Sequence, residues 1–224
     1  DKTGTLTENR MKVGAVWANA KQLGADMDGA AGDVARAALL ASAIHPVDPM
    51  DRAVSEALGD RAASTLSSHG GEPVSSFPLR PERLAVIQSW ATEAGAVWAA
   101  KGAPEAILRL CKTPLAEQKI VEAALAGMAA SGLRVLGVAK ANDSTKAIGD
   151  PKDVPFEFVG LIGFLDPLRA DVPAALAEAR AAGIDVSMIT GDYPATALEI
   201  ARQAGLDVAG GVLTGTEIAT LSPE

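Results

Sequence analysis

The stretch Asp1-Lys2-Thr3-Gly4-Thr5-Leu6-Thr7 carries more information about fold and chemistry than any other part of this sequence. The carboxylate of Asp1 is ionised at neutral pH and can attack a phosphoryl group. Hydroxyls and backbone N–H groups around Gly4 can hold phosphate oxygens, while Mg²⁺ bridges carboxylate and phosphate. Lys2 adds a positive charge beside the nucleophile. The segment therefore predicts an aspartyl-phosphate site, against the alternative of a strand and turn that begin with Asp by chance.

The residue two places after Asp1 separates two classes of enzyme. Free-standing phosphatases of the haloacid dehalogenase class generally have a second Asp there as acid and base, whereas this chain has Thr3. As a unit, the seven residues resemble the phosphorylation signature of P-type cation-transporting ATPases. That resemblance implies that Asp1 is phosphorylated and binds Mg²⁺, and that Thr3 gives a carbonyl to Mg²⁺ and a hydroxyl to the phosphate. A slowly hydrolysed aspartyl phosphate suits a pump.

Composition sets limits on the protein class. The chain has 224 residues, of which 48% are hydrophobic, so it can bury a sizeable core in one large or two small domains. A formal net charge of −8 argues against a nucleic-acid partner. Cys111 is the only cysteine, which excludes an intrachain disulfide, and no apolar run approaches the roughly 20 residues of a membrane helix. His45 and His69 lack partners at metal-ligand spacing.

The middle of the chain has the pattern of an antiparallel sheet with helices. Strand-like runs at Arg83–Trp90 and Gly95–Lys101 predict a hairpin, and Leu133–Lys140 and Phe156–Phe164 predict two more strands. Segment 62–78 is rich in Ser, Gly and Pro and predicts loop or edge structure. The remaining helices are expected at Asp33–Ala43, Asp51–Leu58, Pro104–Cys111 and Leu115–Ala130.

After Asp166 the rhythm changes to helix (171–182), strand (184–189) and helix (194–204), which favours a parallel α/β sheet. The predicted fold class is therefore α/β. An incomplete, haloacid dehalogenase-like (Rossmannoid) phosphorylation domain, residues 1–12 and 165–224, is interrupted by an inserted α+β nucleotide-binding domain, residues 13–164.

Several motifs resemble the nucleotide-binding segments of these pumps. Asp51, in Asp48-Pro49-Met50-Asp51, stands where the family usually has a Glu that meets the adenine amino group. The resemblance assigns Phe77 to adenine stacking, with Arg83 six residues further on. A helix start at Asp51 and a core position for Phe77 are the structural alternatives.

Two further segments join this predicted pocket. Lys101-Gly102-Ala103-Pro104-Glu105 lies where a strand gives way to a helix, so that Gly102 permits close approach of a ligand and Lys101 can reach the nucleotide. Arg134, in Gly132-Leu133-Arg134, resembles the Arg that contacts the phosphates. Either cation could instead be a solvated surface residue.

Two motifs belong to the predicted phosphorylation domain. Asp166-Pro167-Leu168-Arg169 resembles the family's hinge, in which the Asp lies near nucleotide and Mg²⁺ and the Arg helps domain closure; here Leu168 replaces a second Pro. Thr190, Gly191 and Asp192 follow the predicted strand and precede a helix, the expected place for phosphate binding. The family's Thr and Gly hold the transferred phosphate.

The resemblance, strongest for the calcium-type branch, implies ATP as substrate and Mg²⁺ as cofactor. It also implies a location at the cytoplasmic face of a membrane. The implied partners are a transported cation and the actuator and transmembrane domains of a parent pump. Because the family's later Lys and Mg²⁺-binding segment are absent, we expect a fragment that binds ATP without turnover. A free-standing phosphatase and a non-catalytic nucleotide-binding module are the alternatives.

Overall fold

A computed structural model describes residues 2–143, 147–191 and 194–220. Two compact units are present. The smaller unit comprises residues 1–10, 129–133 and 166–224, and the larger comprises 11–128 and 134–165. Their assignment to a phosphorylation domain and an inserted nucleotide-binding domain remains a prediction.

The larger unit is built on a sheet that, in the described residues, has seven strands in the order β2-β1-β7-β6-β5-β4-β3. All neighbouring strands are antiparallel. The strands are β1 (Lys12–Ala18), β2 (Lys21–Leu23), β3 (Ser75–Phe77), β4 (Ala85–Thr92), β5 (Gly95–Gly102), β6 (Arg134–Asp143) and β7 (Glu157–Leu165). This arrangement confirms the antiparallel sheet and the hairpin that the sequence predicts, with β4 and β5 paired along their whole length.

Three helices pack on one face of this sheet: α1 (Gly29–Leu40), α2 (Pro49–Leu58) and α3 (Asp60–Ser68). Their apolar sides form a core with β1 and β7, in which Val34 and Val54 are completely buried. Trp90 of β4 extends the packing on this face, and its indole N–H donates to the carbonyl of Leu40. Alternation along a strand sends successive side chains to opposite faces, so a second core forms on the other side.

The second core contains Ile87, Trp98 and Ile107. Ile107 belongs to α4 (Pro104–Leu110), which begins directly after β5 with Pro104 in its first turn. The helix α5 (Leu115–Ala130) and the 3₁₀ turn Pro151–Asp153 complete the larger unit, although the last two residues of α5 group with the smaller one.

The smaller unit contains a tight turn at Lys2–Leu6 and the helices α6 (Val172–Ala181), α7 (Pro194–Ala204) and α8 (Gly215–Ile218). Its core is small: Leu6, Val172 and Ala204 are buried, with Leu168, Leu176, Met188 and Leu206 packed around them. The helix prediction 194–204 is confirmed residue for residue.

Three local predictions need correction. The first helix begins at Gly29 instead of Asp33, directly after Asp28. Residues 62–68, predicted as loop or edge, lie within α3, because Ala62 and Thr65 are buried against the neighbouring helices despite weak local helix signals. Residues 184–190 carry no strand, and Ile184 and Ile189 are 58% and 79% exposed. A strand requires a hydrogen-bonded neighbour, and the described residues provide none for this segment.

No helix in the described part of the chain is long and apolar enough to cross a membrane.

Candidate functional site

The opening segment forms a closed turn in the smaller unit. The backbone N–H of Thr7 donates to the carbonyl of Lys2 at 3.1 Å, which closes a loop around Gly4. Gly4 has φ +80°, a left-handed conformation that glycine adopts without strain, and Thr3 has extended angles of −73° and 120°. Lys2 is buried, whereas Thr3 is exposed. Asp1 lies outside the described residues, so its place on this turn stays a prediction.

Asp166 fixes this turn from the other end of the sequence. Its carboxylate accepts a hydrogen bond from the Thr7 hydroxyl at 2.5 Å and another from the backbone N–H of Arg10 at 3.1 Å. Thr7 is completely buried and Asp166 is 6% exposed. Both carboxylate oxygens of Asp166 therefore have protein donors, and the charge is stabilised by groups of the opening segment.

Arg169 adds three hydrogen bonds to the same segment. Its backbone N–H donates to the carbonyl of Leu6 at 2.9 Å. Its guanidinium donates to the carbonyls of Thr7 and Gly4, at 3.1 and 3.0 Å. Residues 2–7 and the motif 166–169 are thus brought together, and we call these two segments the opening clasp. Five donors arranged in a fixed fork make Arg suited to holding several carbonyls at once.

The third predicted motif of this unit is only partly described. Met188, two residues before Thr190, packs in the same small core as Leu6 of the opening clasp. Thr190 is half-buried and Gly191 is an exposed bend. Asp192 lies outside the described residues. The phosphate-binding role of all three stays a prediction.

In the larger unit, two predicted nucleotide-binding residues contact each other. Lys101 is 5% exposed, and its ammonium donates to the Ser42 hydroxyl and to Oδ1 of Asp51. Oδ2 of Asp51 accepts from the backbone N–H of Ala43 at 3.1 Å. Asp51 reaches this position because Asp48 caps the first turn of α2 with its side chain. Ser42 is a partner that no sequence signal pointed to.

The electrostatics of this pair are dominated by burial. Desolvation lowers the pKa of Lys101, because the charged ammonium loses its water, and the nearby carboxylates of Asp51 and Asp48 oppose that shift. A side chain this deeply buried keeps its charge only through its paired carboxylate and hydroxyl. The ion pair is therefore a costly feature of an otherwise apolar core.

The need for glycine at position 102 has a cause within the protein itself. A Cβ at this position would lie 2.2 Å from the carbonyl oxygen of Leu84 and 2.6 Å from the Cα of Ala85. The backbone N–H of Ala103 donates to that same carbonyl at 2.9 Å. Glycine is therefore required by the close approach of the chain's own β4 strand, which accounts for the residue without a ligand.

Phe77 and Arg83 form a second group, on the opposite face of the sheet from Lys101. The Phe77 ring lies 6.1 Å from that of Trp98 with 26° between the planes, and packs in the second core. The Arg83 guanidinium lies 5.7 Å from the centre of the Phe77 ring and donates to the carbonyl of Pro78. In this arrangement Phe77 and Lys101 are not brought into one pocket.

The remaining predicted residue of this unit, Arg134, is exposed at the start of β6. An exposed Arg at a strand end can contact a phosphate, and many exposed Arg residues could do the same, so the phosphate-binding role of Arg134 stays a prediction.

The groups expected to hold Mg²⁺ can be tested against these contacts. Mg²⁺ prefers hard oxygen donors. The exposed Thr3 fits that preference because it lies on the turn with its polar groups near solvent. Asp166 fits less well, because each of its oxygens already accepts a hydrogen bond. Among the described residues no three His, Cys, Asp or Glu side chains cluster as metal ligands.

Comparisons with known proteins cover the whole chain. A family model described as haloacid dehalogenase-like hydrolase matches residues 1–223. The chain is 33% identical over 253 residues to probable cation-transporting ATPase I of Mycobacterium tuberculosis, and 32% identical over 272 residues to probable cation-transporting ATPase F of Mycobacterium bovis. It is 29% identical over 258 residues to putative calcium-transporting ATPase 11, plasma membrane-type, of Arabidopsis thaliana.

Each of these alignments includes all of this chain but only a part of the relative. The covered shares are 15% of ATPase I, 30% of ATPase F and 25% of the Arabidopsis protein. The chain therefore corresponds to a segment of much longer proteins.

Proposed function

Because this chain belongs to the haloacid dehalogenase-like hydrolase family, we propose that it is the ATP-binding and aspartyl-phosphorylation segment of a P-type cation-transporting ATPase. The predicted resemblance to these pumps is confirmed, since relatives that align with the whole chain have names of cation- and calcium-transporting ATPases. The parent protein would couple phosphorylation of Asp1 by ATP to cation movement through membrane domains, with this segment at the cytoplasmic face.

The observation that carries this proposal is the opening clasp. The signature segment, which follows the proposed nucleophile directly, is held by the Thr7 hydroxyl bond to Asp166 and by the three hydrogen bonds from Arg169. Phosphoryl transfer depends mainly on positioning and electrostatic stabilisation, so a nucleophile loop needs such a rigid support. Both motifs thus hold the nucleophile loop in one conformation.

The ATP-binding part of the proposal draws on the buried pair of Lys101 and Asp51. Buried, charged groups with perturbed pKa values concentrate at functional sites, because a purely structural position is more cheaply filled by apolar residues. We propose that Lys101 and Asp51 line the nucleotide pocket, that Arg134 reaches the phosphates, and that Mg²⁺ is held by Asp1 and Thr3.

Adenine stacking on Phe77 is a further element of the proposal that requires a rearrangement. One neighbour of the ring is Trp98 and another is the guanidinium of Arg83. A base could stack on Phe77 only after Arg83 moves aside or accepts the base on its own planar face. Titrating ATP while following the Phe77 ring resonances by NMR tests this step. No shift at millimolar ATP would refute binding at this ring.

We further propose that this chain by itself binds ATP with negligible turnover, because Thr3 stands where the free-standing phosphatases have their acid and base and any aspartyl phosphate would be hydrolysed only slowly. Assays with Mg²⁺-ATP and with a generic aryl phosphate should both show negligible hydrolysis. Efficient hydrolysis of the aryl phosphate would favour a free-standing phosphatase instead, and robust Mg²⁺-dependent labelling of Asp1 would show that the segment is competent by itself.

A further inference from the structure

Two serine hydroxyls of the large sheet donate to the same backbone carbonyl. Ser75 of β3 donates to the carbonyl oxygen of Ala147 at 3.3 Å, and the completely buried Ser89 of β4 donates to the same oxygen. A carbonyl oxygen has two lone pairs, so both hydrogen bonds can form at once. Ser75 and Ser89 are directly opposite each other in the sheet, so they hold Ala147 from one place. We call this pair of hydrogen bonds the latch.

The latch lies beside the aromatic pair of the second core. Ser89 is opposite Trp98 of β5, and Phe77 comes two residues after Ser75 on β3. Because side chains alternate along a strand, all four residues share one face of the sheet. Ala147 and Phe77 are both half-buried, and both pack against the core cluster that contains Trp98. Ala147 therefore lies over the part of the sheet that carries the two rings.

The segment that follows the latch is held to the sheet at few points. It comprises residues 147–153, which we call the strap. Residues 148–150 are exposed, and Gly149 has open space around it. The far end is anchored by the buried Pro151, which begins the 3₁₀ turn. Segments with few buried apolar contacts open at low free-energy cost, so the latch dominates the attachment of the near end.

We propose that the strap is an autoinhibitory cover, which lies on the sheet face where a base would stack against Phe77 and leaves it when the latch breaks. This inference rests on the proposed function and adds a regulation of the same site. Strap and base compete for one aromatic surface, so ATP binding is weakened by the fraction of molecules in which the strap is closed. A weaker latch should therefore strengthen ATP binding. Loss of a merely structural hydrogen bond would weaken it or leave it unchanged.

The first test asks whether the latch covers Trp98. Ser89→Ala removes one donor of the latch, and the matched control Ser64→Ala removes an exposed hydroxyl of α3 that also donates to a backbone carbonyl. Hydroxyl-radical footprinting of the full chain compares Trp98 with Trp90, which is likewise buried but on the opposite face. We expect oxidation of Trp98 to rise about fivefold in Ser89→Ala, with Trp90 unchanged, and neither to change in Ser64→Ala. An unchanged Trp98, or an equal rise at both tryptophans, would overturn the cover.

The second test measures the competition with nucleotide. Calorimetry on the full chain should show that Ser89→Ala binds ATP about fivefold more tightly than the unmodified chain, and that Ser64→Ala binds it equally. A Ser89→Ala protein that binds ATP with equal or lower affinity would overturn the inhibitory role of the strap and leave the proposed function standing. Absence of ATP binding by all three proteins would refute the proposed function itself, so the two failures are distinguishable.

Discussion

Replacing Asp51 by Asn removes the negative charge of the buried ion pair while keeping the side-chain volume. The ammonium of Lys101 would then remain in the core with the Ser42 hydroxyl and an amide oxygen as its partners. The side chains of Lys101 and Asp51 are only 7% and 14% exposed, so water cannot take over the role of the carboxylate.

The magnitude follows from the cost of an uncompensated buried charge. Removing one partner of a buried ion pair costs about 3–5 kcal/mol of unfolding free energy. Because the Asn amide retains one acceptor oxygen, we expect the lower end, about 3 kcal/mol at pH 7. The matched control is Asp28→Asn, which breaks the 2.6 Å ion pair between Asp28 and Arg61. The side chain of Arg61 is 45% exposed and that of Asp28 is 77% exposed. That change should cost less than about 1 kcal/mol.

The loss of unfolding free energy in Asp51→Asn should also depend on pH, in a direction set by the lowered pKa of Lys101. Burial lowers the pKa of Lys101 in the folded chain, so between that pKa and the ordinary one the unfolded chain binds more protons. Stability contributed by this group therefore rises with pH across that interval. Losing Asp51 lowers the folded pKa of Lys101 further and widens the interval. The difference between the variant and the unmodified chain should therefore shrink as the pH rises toward the ordinary pKa of Lys.

Tryptophan fluorescence during urea unfolding measures this difference, because Trp90 and Trp98 are buried in the same unit as the ion pair. An Asp51→Asn protein that loses no more unfolding free energy than Asp28→Asn would contradict the buried ion pair. A loss that stays constant as the pH rises would contradict the lowered pKa of Lys101.

Two further substitutions test the contacts that shape the two units. Thr7→Val removes the donor to Asp166, and we expect amide hydrogen exchange at residues 2–10 to accelerate by about tenfold or more. Thr5 is exposed, so Thr5→Val should change the exchange rates little. Equal acceleration in both variants would contradict the contacts of the opening clasp. Gly102→Ala forces a Cβ against Leu84 and should cost about 3 kcal/mol of unfolding free energy. Gly149 has open space around it, so Gly149→Ala should cost less than about 0.5 kcal/mol of unfolding free energy. A Gly102→Ala protein of unchanged stability would contradict the close approach of Gly102 to the Leu84 carbonyl.

The parts of the fold that the sequence predicts are those with local signals. The β4–β5 hairpin follows from alternating apolar residues around a short turn, and α7 begins at Pro194 and ends before Gly205, both common helix boundaries. The segment 184–190 has the same strand-like composition, but a strand forms only with a partner, and composition says nothing about partners. The helix α3 illustrates the converse, since burial of Ala62 and Thr65 overrides weak local preference.

The candidate site divides in the same way. Sequence motifs named Asp51, Lys101, Asp166 and Arg169, but their partners lie far away in the chain: Lys101 meets Asp51 across 50 positions, and Thr7 meets Asp166 across 159. Whether Phe77 and Lys101 share a face depends on the register of β3 against β4 and of β4 against β5, which no local pattern sets. Ser75 and Ser89 carried no signal at all, because a Ser in a strand gains meaning only from the distant carbonyl that its hydroxyl contacts.

The central claim is that this chain is an ATP-binding segment whose pocket includes Lys101. Calorimetric titration of Mg²⁺-ATP into the full chain, and into its Lys101→Met and Lys119→Met variants, tests it most directly. Lys119 is an exposed lysine on α5, so its loss controls for the change in net charge. We expect saturable binding at up to millimolar ATP that is weakened in Lys101→Met and retained in Lys119→Met. Absence of binding by the unmodified chain, or undiminished binding by a folded Lys101→Met variant, would contradict it.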